Sequence, residues 1–339
     1  MTKEQISKLI VQGGFPDDSL ERKLLETHIS WVILGDQFVY KIKKPIKYSF
    51  LDFSTLSKRK HFCLREIELN KRFSNGIYLG VLPIREYKGT YALGSSEGKV
   101  IDYAVKMIKM DPQKQMDILV LGNKVRVADM QKLAGIIVDF HKGAVIIKDK
   151  NVLDVANKFN DLEAEKEFLS QNIDDKMGEV IDWAIKLSNA FLKSYKPLME
   201  ARLQSGFYRD CHGDLHCRNI FLLPEPQPFD CIEFNDDYRH IDLLNEVAFL
   251  CMDLDALDRS DLSKSFITQY NSLFPIIRNE REKMLFDYFK GYRANVRAKV
   301  NSLRARSAVG KEDKTKALEE VVKYVELMEF YLNGLGMDV

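Results

Sequence analysis

One short β-like interruption constrains this chain more than any other feature of its sequence. Residues 219–223 and 229–234 are β-rich and are joined by Pro224-Glu225-Pro226-Gln227-Pro228, yet helical spacing surrounds them on both sides. Apolar residues recur at helical intervals over 127–140, 151–159 and 175–203 before it, and over 242–257, 263–272, 279–305 and 314–333 after it. A hairpin that late in a helical half excludes a plain helix bundle and predicts an α+β fold.

The beginning of the chain is organised differently. Residues 30–34 and 37–42 flank Gly35-Asp36 as two β-rich runs around a two-residue turn, and Pro45 ends the second run. Residues 55–73 read as a helix, and 77–84, 91–93 and 100–107 as further strands. Residues 4–11 and 18–28, separated by Gly13-Gly14-Phe15-Pro16, read as short helices. The expected organisation is a β-rich lobe over 1–107 and an α-rich lobe over 108–339, with no internal repeat.

Composition narrows the function classes. The 51 Lys+Arg and 50 Asp+Glu nearly cancel, so no global charge points to nucleic acid or a membrane surface as partner. Apolar runs fall short of the ~18 residues a membrane span needs, and the first residues lack the pattern of a signal peptide. Cys63, Cys211, Cys217, Cys231 and Cys251 form no C-x-x-C, and their odd number favours reduced thiols. A cytoplasmic protein is expected, and oligomeric state is not readable.

Just before the hairpin stands His212-Gly213-Asp214-Leu215-His216-Cys217-Arg218-Asn219. It has the Asp-x₄-Asn spacing of a kinase catalytic loop, with Gly where protein kinases carry Arg. Phosphoryl transfer asks a protein mainly for positioning and charge neutralisation around Mg²⁺-bound phosphates. One carboxylate must receive the acceptor hydroxyl's proton, which fits Asp214; an amide oxygen five residues on suits a metal, which fits Asn219. A second metal ligand is expected from Phe229-Asp230-Cys231-Ile232-Glu233-Phe234. On an extended strand Asp230 and Glu233 face opposite ways; Glu233, followed by Phe as in D-F-G, is the choice here, with Asp230 the alternative.

His-Gly-Asp-Leu-His-x-x-Asn followed by a hairpin and a carboxylate resembles the aminoglycoside phosphotransferase and choline kinase-like family, relatives of the protein kinases. Val39-Tyr40-Lys41-Ile42-Lys43-Lys44-Pro45 and residues 229–236 resemble a subgroup of it, some of whose members are fused to a P-loop ATP-binding domain. This chain has no G-x-x-x-x-G-K-[ST], so that domain is not expected here. The resemblance runs over roughly residues 25–305 and implies a protein-kinase-like bilobal fold using ATP and Mg²⁺. It further implies that Lys41 holds the α/β-phosphates, with Lys43 on the same strand face, and that Glu66 is its ion-pair partner, with Glu68 competing. It places the adenine-pairing hinge at the segment ending in Met107 and Ile108. Phe140-His141 matches a structural pair, and Asp242 and Glu246 are expected to support the catalytic loop.

The departures are equally specific. No G-x-G-x-x-G precedes Lys41, and Glu233 and Asn235 stand where Asp and Gly are usual. Gly213 removes the usual reader of a phosphorylated activation loop, which disfavours protein-kinase-style regulation. The activity implied is transfer of a γ-phosphoryl group to a hydroxyl of an aminoglycoside, sugar or amino alcohol. A non-catalytic nucleotide-binding regulator is the alternative. A metal-dependent phosphoesterase reading of Asp214-Leu215-His216 lacks further downstream ligands. Eleven carboxylates between Glu225 and Asp261 face only Arg239 and Arg259. They read as a solvated surface, or with Asp236, Asp237, Asp253, Asp255 and Asp258 as an acceptor lining. Lys290, Arg293 and Arg297 share a helix face and read as an anion site or as partners of that acidic stretch.

Overall fold

In the computed structural model, residues 1–48, 50–74 and 76–337 are described. They form two compact units, one of residues 1–118 and 218–238, the other of 119–217 and 239–339.

Along the chain, helix α1 (Lys3–Gln12) leads to strands β1 (Lys23–Glu26), β2 (Ser30–Leu34) and β3 (Phe38–Lys43). Helix α2 (Leu56–Asn70) precedes β4 (Tyr78–Tyr87), β5 (Thr90–Leu93) and β6 (Lys99–Ile108). Among the described residues these strands make an antiparallel sheet in the order β1-β2-β3-β6-β4-β5. Residues 18–28 are therefore not a helix: Lys23 to Glu26 pair with Leu34 to Trp31. The sheet edge supplies hydrogen-bond partners that outweigh the weak helical propensity of the stretch.

Alternation along β3 decides what its lysines meet. Tyr40 and Ile42 point into a core with Ile33, Ile84 and Ala104. Lys41 and Lys43 therefore take the opposite face, by the two-residue period of a strand. α2 starts where Thr55 accepts the Lys58 N–H (3.2 Å). Its Cys63 and Ile67 pack with Ile77, Tyr78 and Val105. Glu66, one residue before Ile67, is buried from that same helix.

The second unit is helical. It takes α3 (Met116–Leu121) from its fourth residue on, then α4 (Val127–Gly143), α5 (Asp154–Asn160), α6 (Lys166–Asn172) and α7 (Lys176–Gln204). Strand β7 (Tyr208–Asp210) ends at the catalytic-loop sequence; β8 (Ile220–Phe221) and β9 (Gln227–Pro228) follow it, in the first unit. β10 (His240–Asp242) then pairs antiparallel with β7. α8 (Leu243–Asp255), α9 (Ser260–Leu273), α10 (Glu280–Ser307) and α11 (Lys311–Asn333) complete the unit. α8 is buried from Leu243 to Leu254, including Glu246 and Asp253. A buried carboxylate persists only with partners.

Candidate active site

In the first unit the strand lysines meet a ring of carboxylates. Glu66 is shared: its Oε1 lies 2.9 Å from Lys41 Nζ and its Oε2 2.7 Å from Lys43 Nζ. Each lysine has a second partner, Asp230 Oδ1 for Lys41 at 2.6 Å and Glu233 for Lys43. The four bridges run in parallel, yet their exposure differs sharply. The Lys43 side chain is 0% exposed and Glu233 4%, whereas Lys41 is 14% exposed and Asp230 42%. The Lys41–Asp230 end is the more exposed of the two, and the Lys43–Glu233 end the more buried.

The electrostatics follow. Burial alone would lift Glu66's carboxyl, but the Lys41 and Lys43 ammoniums outweigh it and hold the pKa below the usual range. Burial also works against the Lys41 ammonium, yet Asp230 and Glu66 keep it protonated well beyond its ordinary range. Glu233 goes the other way: burial, with the Glu66 carboxylate beside it, raises its pKa against the pull of Lys43.

The segment after β9 is not the extended strand expected of residues 229–234. Asp230 has φ +62°, in the left-handed region that a non-glycine residue rarely adopts. Its N–H donates to the Tyr78 hydroxyl (3.0 Å), and the Cys231 N–H donates to Asn70 Oδ1 on α2 (2.9 Å). The turn brings Asp230 and Glu233 to the same lysine face, where strict alternation would have parted them. The backbone ties Asn219 to the residue before Asp230: the Phe229 N–H donates to the Asn219 carbonyl (2.9 Å). The carboxylate and amide oxygens of Asp230 and Asn219 are hard donors of the kind a small divalent cation takes, and Lys41 suits phosphate. The residues present fit a magnesium nucleotide.

Met107 and Ile108 end β6, opposite Val39 and Phe38 of β3. The Ile108 N–H donates to Ile77 O (2.8 Å), and the next N–H, of Lys109, donates to Gln37 O (2.8 Å). Both donors are thus engaged within the sheet, and Met107 packs against the Cys63–Tyr78 cluster.

The second unit presents Asp214 on a loop fixed by its backbone. Glu246 Oε1 accepts the His212 N–H (2.7 Å) and its Oε2 the Gly213 N–H (3.0 Å). From α10, Arg293 donates to the Gly213 carbonyl (3.1 Å) and to Asn245 Oδ1 (2.7 Å). Asp253 Oδ2 accepts the Cys217 N–H (2.9 Å), so α8 grips the loop at both ends. Gly213 sits at φ +85°, where a side chain would be strained, which explains glycine at this place. The Asp214 N–H donates to His212 Nδ1 (3.3 Å), and the Asp214 carboxylate lies 3.4 Å from His216 Nε2. Burial pushes Asp214's pKa up, but His216, His212 and Arg297 prevail and hold it well below the usual carboxylate range. It is an ionised acceptor at neutral pH.

The neighbouring expectations divide. Glu246 supports the loop as read from sequence, whereas Asp242 binds Arg202 (2.7 and 2.8 Å) and caps α8 through the Leu244 N–H. His141 is buried against the Tyr270 hydroxyl (2.8 Å), consistent with a structural part. The basic face of α10 meets the acidic stretch: Lys290 pairs with Asp255 (2.7 Å), and Asp253 and Asp214 raise Arg297's pKa against burial. Asp253 and Asp255 are thereby committed within the unit rather than left to line an acceptor site. Lys43's buried place has one trace in the sequence, the strand face it shares with Lys41.

No family model matches the sequence. An uncharacterised protein of Mycobacterium tuberculosis is 32% identical over 286 residues, which are 82% of this chain and 54% of that protein. The chain thus spans about half the length of the curated relatives it matches. Among solved structures, the choline kinase of Cryptosporidium parvum has a TM-score of 0.53 at 13% identity, covering 93% of this chain and 91% of its own. A choline/ethanolamine kinase family protein from Mesorhizobium loti gives 0.51 at 11%, covering 97% and 98%. The GDP and kanamycin complex of APH(2")-IIia gives 0.51 at 13%, covering 95% and 98%. This chain has their kinase-like fold. The kinase-like fold hosts different chemistries, so activity is argued from the residues themselves. No helix among the described residues is long and apolar enough to cross a membrane.

Proposed function

We propose that this chain moves the γ-phosphoryl group of ATP to a hydroxyl of a small molecule, of the aminoglycoside, sugar or amino alcohol kind. The observation that carries the reading is Lys41, held between buried Glu66 and partly exposed Asp230, whose preceding residue Phe229 pairs through its backbone with Asn219. Lys41 binds nucleotide phosphates, and Glu66 fixes its ammonium. Asp230, rather than Glu233, takes the metal with Asn219, because Glu233 is buried on Lys43. Magnesium, when bound, neutralises charge on the phosphate oxygens. Asp214, already ionised, orients the acceptor hydroxyl and receives its proton.

A non-catalytic regulator is suggested by Glu233 in the metal position and by the missing glycine loop; Asp230 as the metal ligand answers the first of these. Choline and ethanolamine kinases among the structural neighbours accord with a small acceptor. A cytoplasmic location accords with five buried cysteines, none of them in a disulfide.

The test is ATP turnover with Mg²⁺ across sugars, amino alcohols and aminoglycosides. Asp214→Asn should lower acceptor-dependent ADP release by about 10²–10⁴ while ATP still binds. Asp230→Asn should weaken Mg²⁺-dependent binding far more than Glu233→Gln. Nucleotide binding without turnover on any acceptor would favour the regulator, and no nucleotide binding would sink the kinase reading.

A further inference from the structure

Lys290, Arg293 and Arg297 share one face of α10, but their surroundings set them apart. Lys290 is neutralised by Asp255 at 2.7 Å. Arg293 is taken up by Asn245 Oδ1 (2.7 Å) and the Gly213 carbonyl (3.1 Å). Arg297, one turn further along, is only 8% exposed. Among the described residues it forms no ion pair, and its Nε has no hydrogen-bond partner. The Tyr324 ring lies against it, the centroid 5.2 Å from Cζ, and the Tyr324 hydroxyl is its neutral neighbour. The Asp253 carboxylate is near but occupied, one oxygen by the Cys217 N–H (2.9 Å) and the other by the Tyr324 hydroxyl (3.2 Å). A buried charge ordinarily has a counter-charge or a full set of hydrogen bonds, and this guanidinium has neither.

We propose that Arg297 selects the acceptor, a hydroxyl compound that also carries a carboxylate or phosphate, such as a sugar acid or sugar phosphate. The proposal rests on the reading of Asp214 as the group that orients the acceptor hydroxyl. Arg293 marks the place, because it holds the carbonyl of Gly213, the residue before Asp214. One turn of α10 carries Arg297 about 6 Å along from it. Arg297 also helps keep Asp214 ionised, so the two charges stand within each other's field. The Asp214 side chain is 36% exposed, and a ligand that reaches its carboxylate arrives beside Arg297. A guanidinium fork with a spare Nε–H matches two oxygens of an oxyanion, and an ammonium-bearing ligand gains nothing from it. The acceptor's hydroxyl then faces Asp214 while its anionic group gives Arg297 the bonds it lacks.

A structural ion-pair role predicts the reverse. If Arg297 served to balance Asp253 and Asp214, Arg297→Met would strand buried carboxylates and lower the thermal midpoint by about 10 °C. Arg202→Met, which strands Asp242 and Glu282 in the same unit, is the reference for that outcome. If Arg297 is held ready for a ligand, removing its unpaired charge leaves the midpoint at or above wild type. Binding is measured on the full chain by calorimetry without nucleotide, using gluconate, sorbitol and glucamine. These share one polyhydroxyl chain and differ at a single carbon, which carries a carboxylate, a hydroxyl or an ammonium. Sorbitol 6-phosphate is titrated in parallel.

The expected result is that gluconate or sorbitol 6-phosphate binds about tenfold or more tighter than sorbitol and glucamine. Whichever anion binds better tells carboxylate from phosphate. Arg297→Met, its midpoint kept, should weaken that anion by about ten- to a hundredfold, as loss of a charged hydrogen bond does. An anion that binds Arg297→Met as well as wild type sits elsewhere, on Lys41 for instance, and would overturn the proposal. So would tighter binding of glucamine, no binding of either anion, or a fall in midpoint matching that of Arg202→Met. Because these titrations contain no nucleotide, any of those failures leaves the kinase reading standing. A chain that binds the anion through Arg297 but binds no ATP would sink the kinase reading, and the acceptor role with it.

Discussion

Replacing Glu246 by glutamine changes one oxygen for an amino group and should unsettle the loop that carries Asp214. In the native unit the two carboxylate oxygens face two backbone donors, His212 N–H at 2.7 Å and Gly213 N–H at 3.0 Å. A glutamine can accept only one of them. Its amino group then confronts the other N–H, leaving a buried donor unpaired at about 1–3 kcal/mol. The surviving bond also loses its charge, worth about 1 kcal/mol more. The expected loss is about 2–4 kcal/mol at pH 7, or on the order of 10 °C in the thermal midpoint of a unit this size.

The pH dependence adds a sign. Burial raises Glu246's pKa, but His141, His212 and Arg293 outweigh it, so the folded value lies below the ordinary 4.5. A depressed carboxyl stabilises the fold above its unfolded pKa and loses that stabilisation as pH falls through the folded value. The gap between wild type and Glu246→Gln should therefore be full at pH 6–7 and shrink as the pH drops below about 4. Thermal unfolding by circular dichroism at a series of pH values measures both. A variant within about 0.5 kcal/mol of wild type at pH 7, or a gap that widens in acid, would refute the argument that this carboxylate anchors the loop.

Arg202 offers a parallel case without a functional role: it donates to Asp242, Glu282 and the Ile276 carbonyl at 2.7–2.9 Å, with no exposed surface. Arg202→Met should destabilise by about 3–5 kcal/mol, since both carboxylates stay buried without it; chemical unfolding checks this. Gly213→Ala should cost about 1–3 kcal/mol from the φ of +85°, and turnover should fall more than ATP affinity because Asp214 is next in the chain.

How far the sequence could be read depended on how local each signal is. The β2–β3 hairpin around Gly35-Asp36, the Thr55 start of α2 and the Asp-x₄-Asn loop all carry their information within a few residues, and the structure has them where they were read. Residues 18–28 misled because their strand identity comes from the partner β2, which propensity does not register. Residues 229–234 misled for the opposite reason. Their β-rich composition hides one left-handed residue, Asp230, and that residue decides which carboxylates can share a face. Lys43 and Glu233 are ordinary strand-lysine and acidic residues until long-range packing closes over them. Asp242 carries the pattern of a loop support, but Arg202, forty residues earlier, claims it.

The separation of the cluster along the chain has a consequence for its biosynthesis. Lys43 and Glu233 are 190 residues apart, and Lys41 and Asp230 are 189 apart. At about 5–20 residues per second, a ribosome needs roughly 10–40 s between making the lysines and making their carboxylates. For that interval the nascent sheet holds two lysines against Glu66 alone, a surplus of positive charge where the finished unit is dry. The first unit therefore cannot close on its own amino-terminal stretch. Its charge cluster is completed only by a segment made after the whole of residues 119–217.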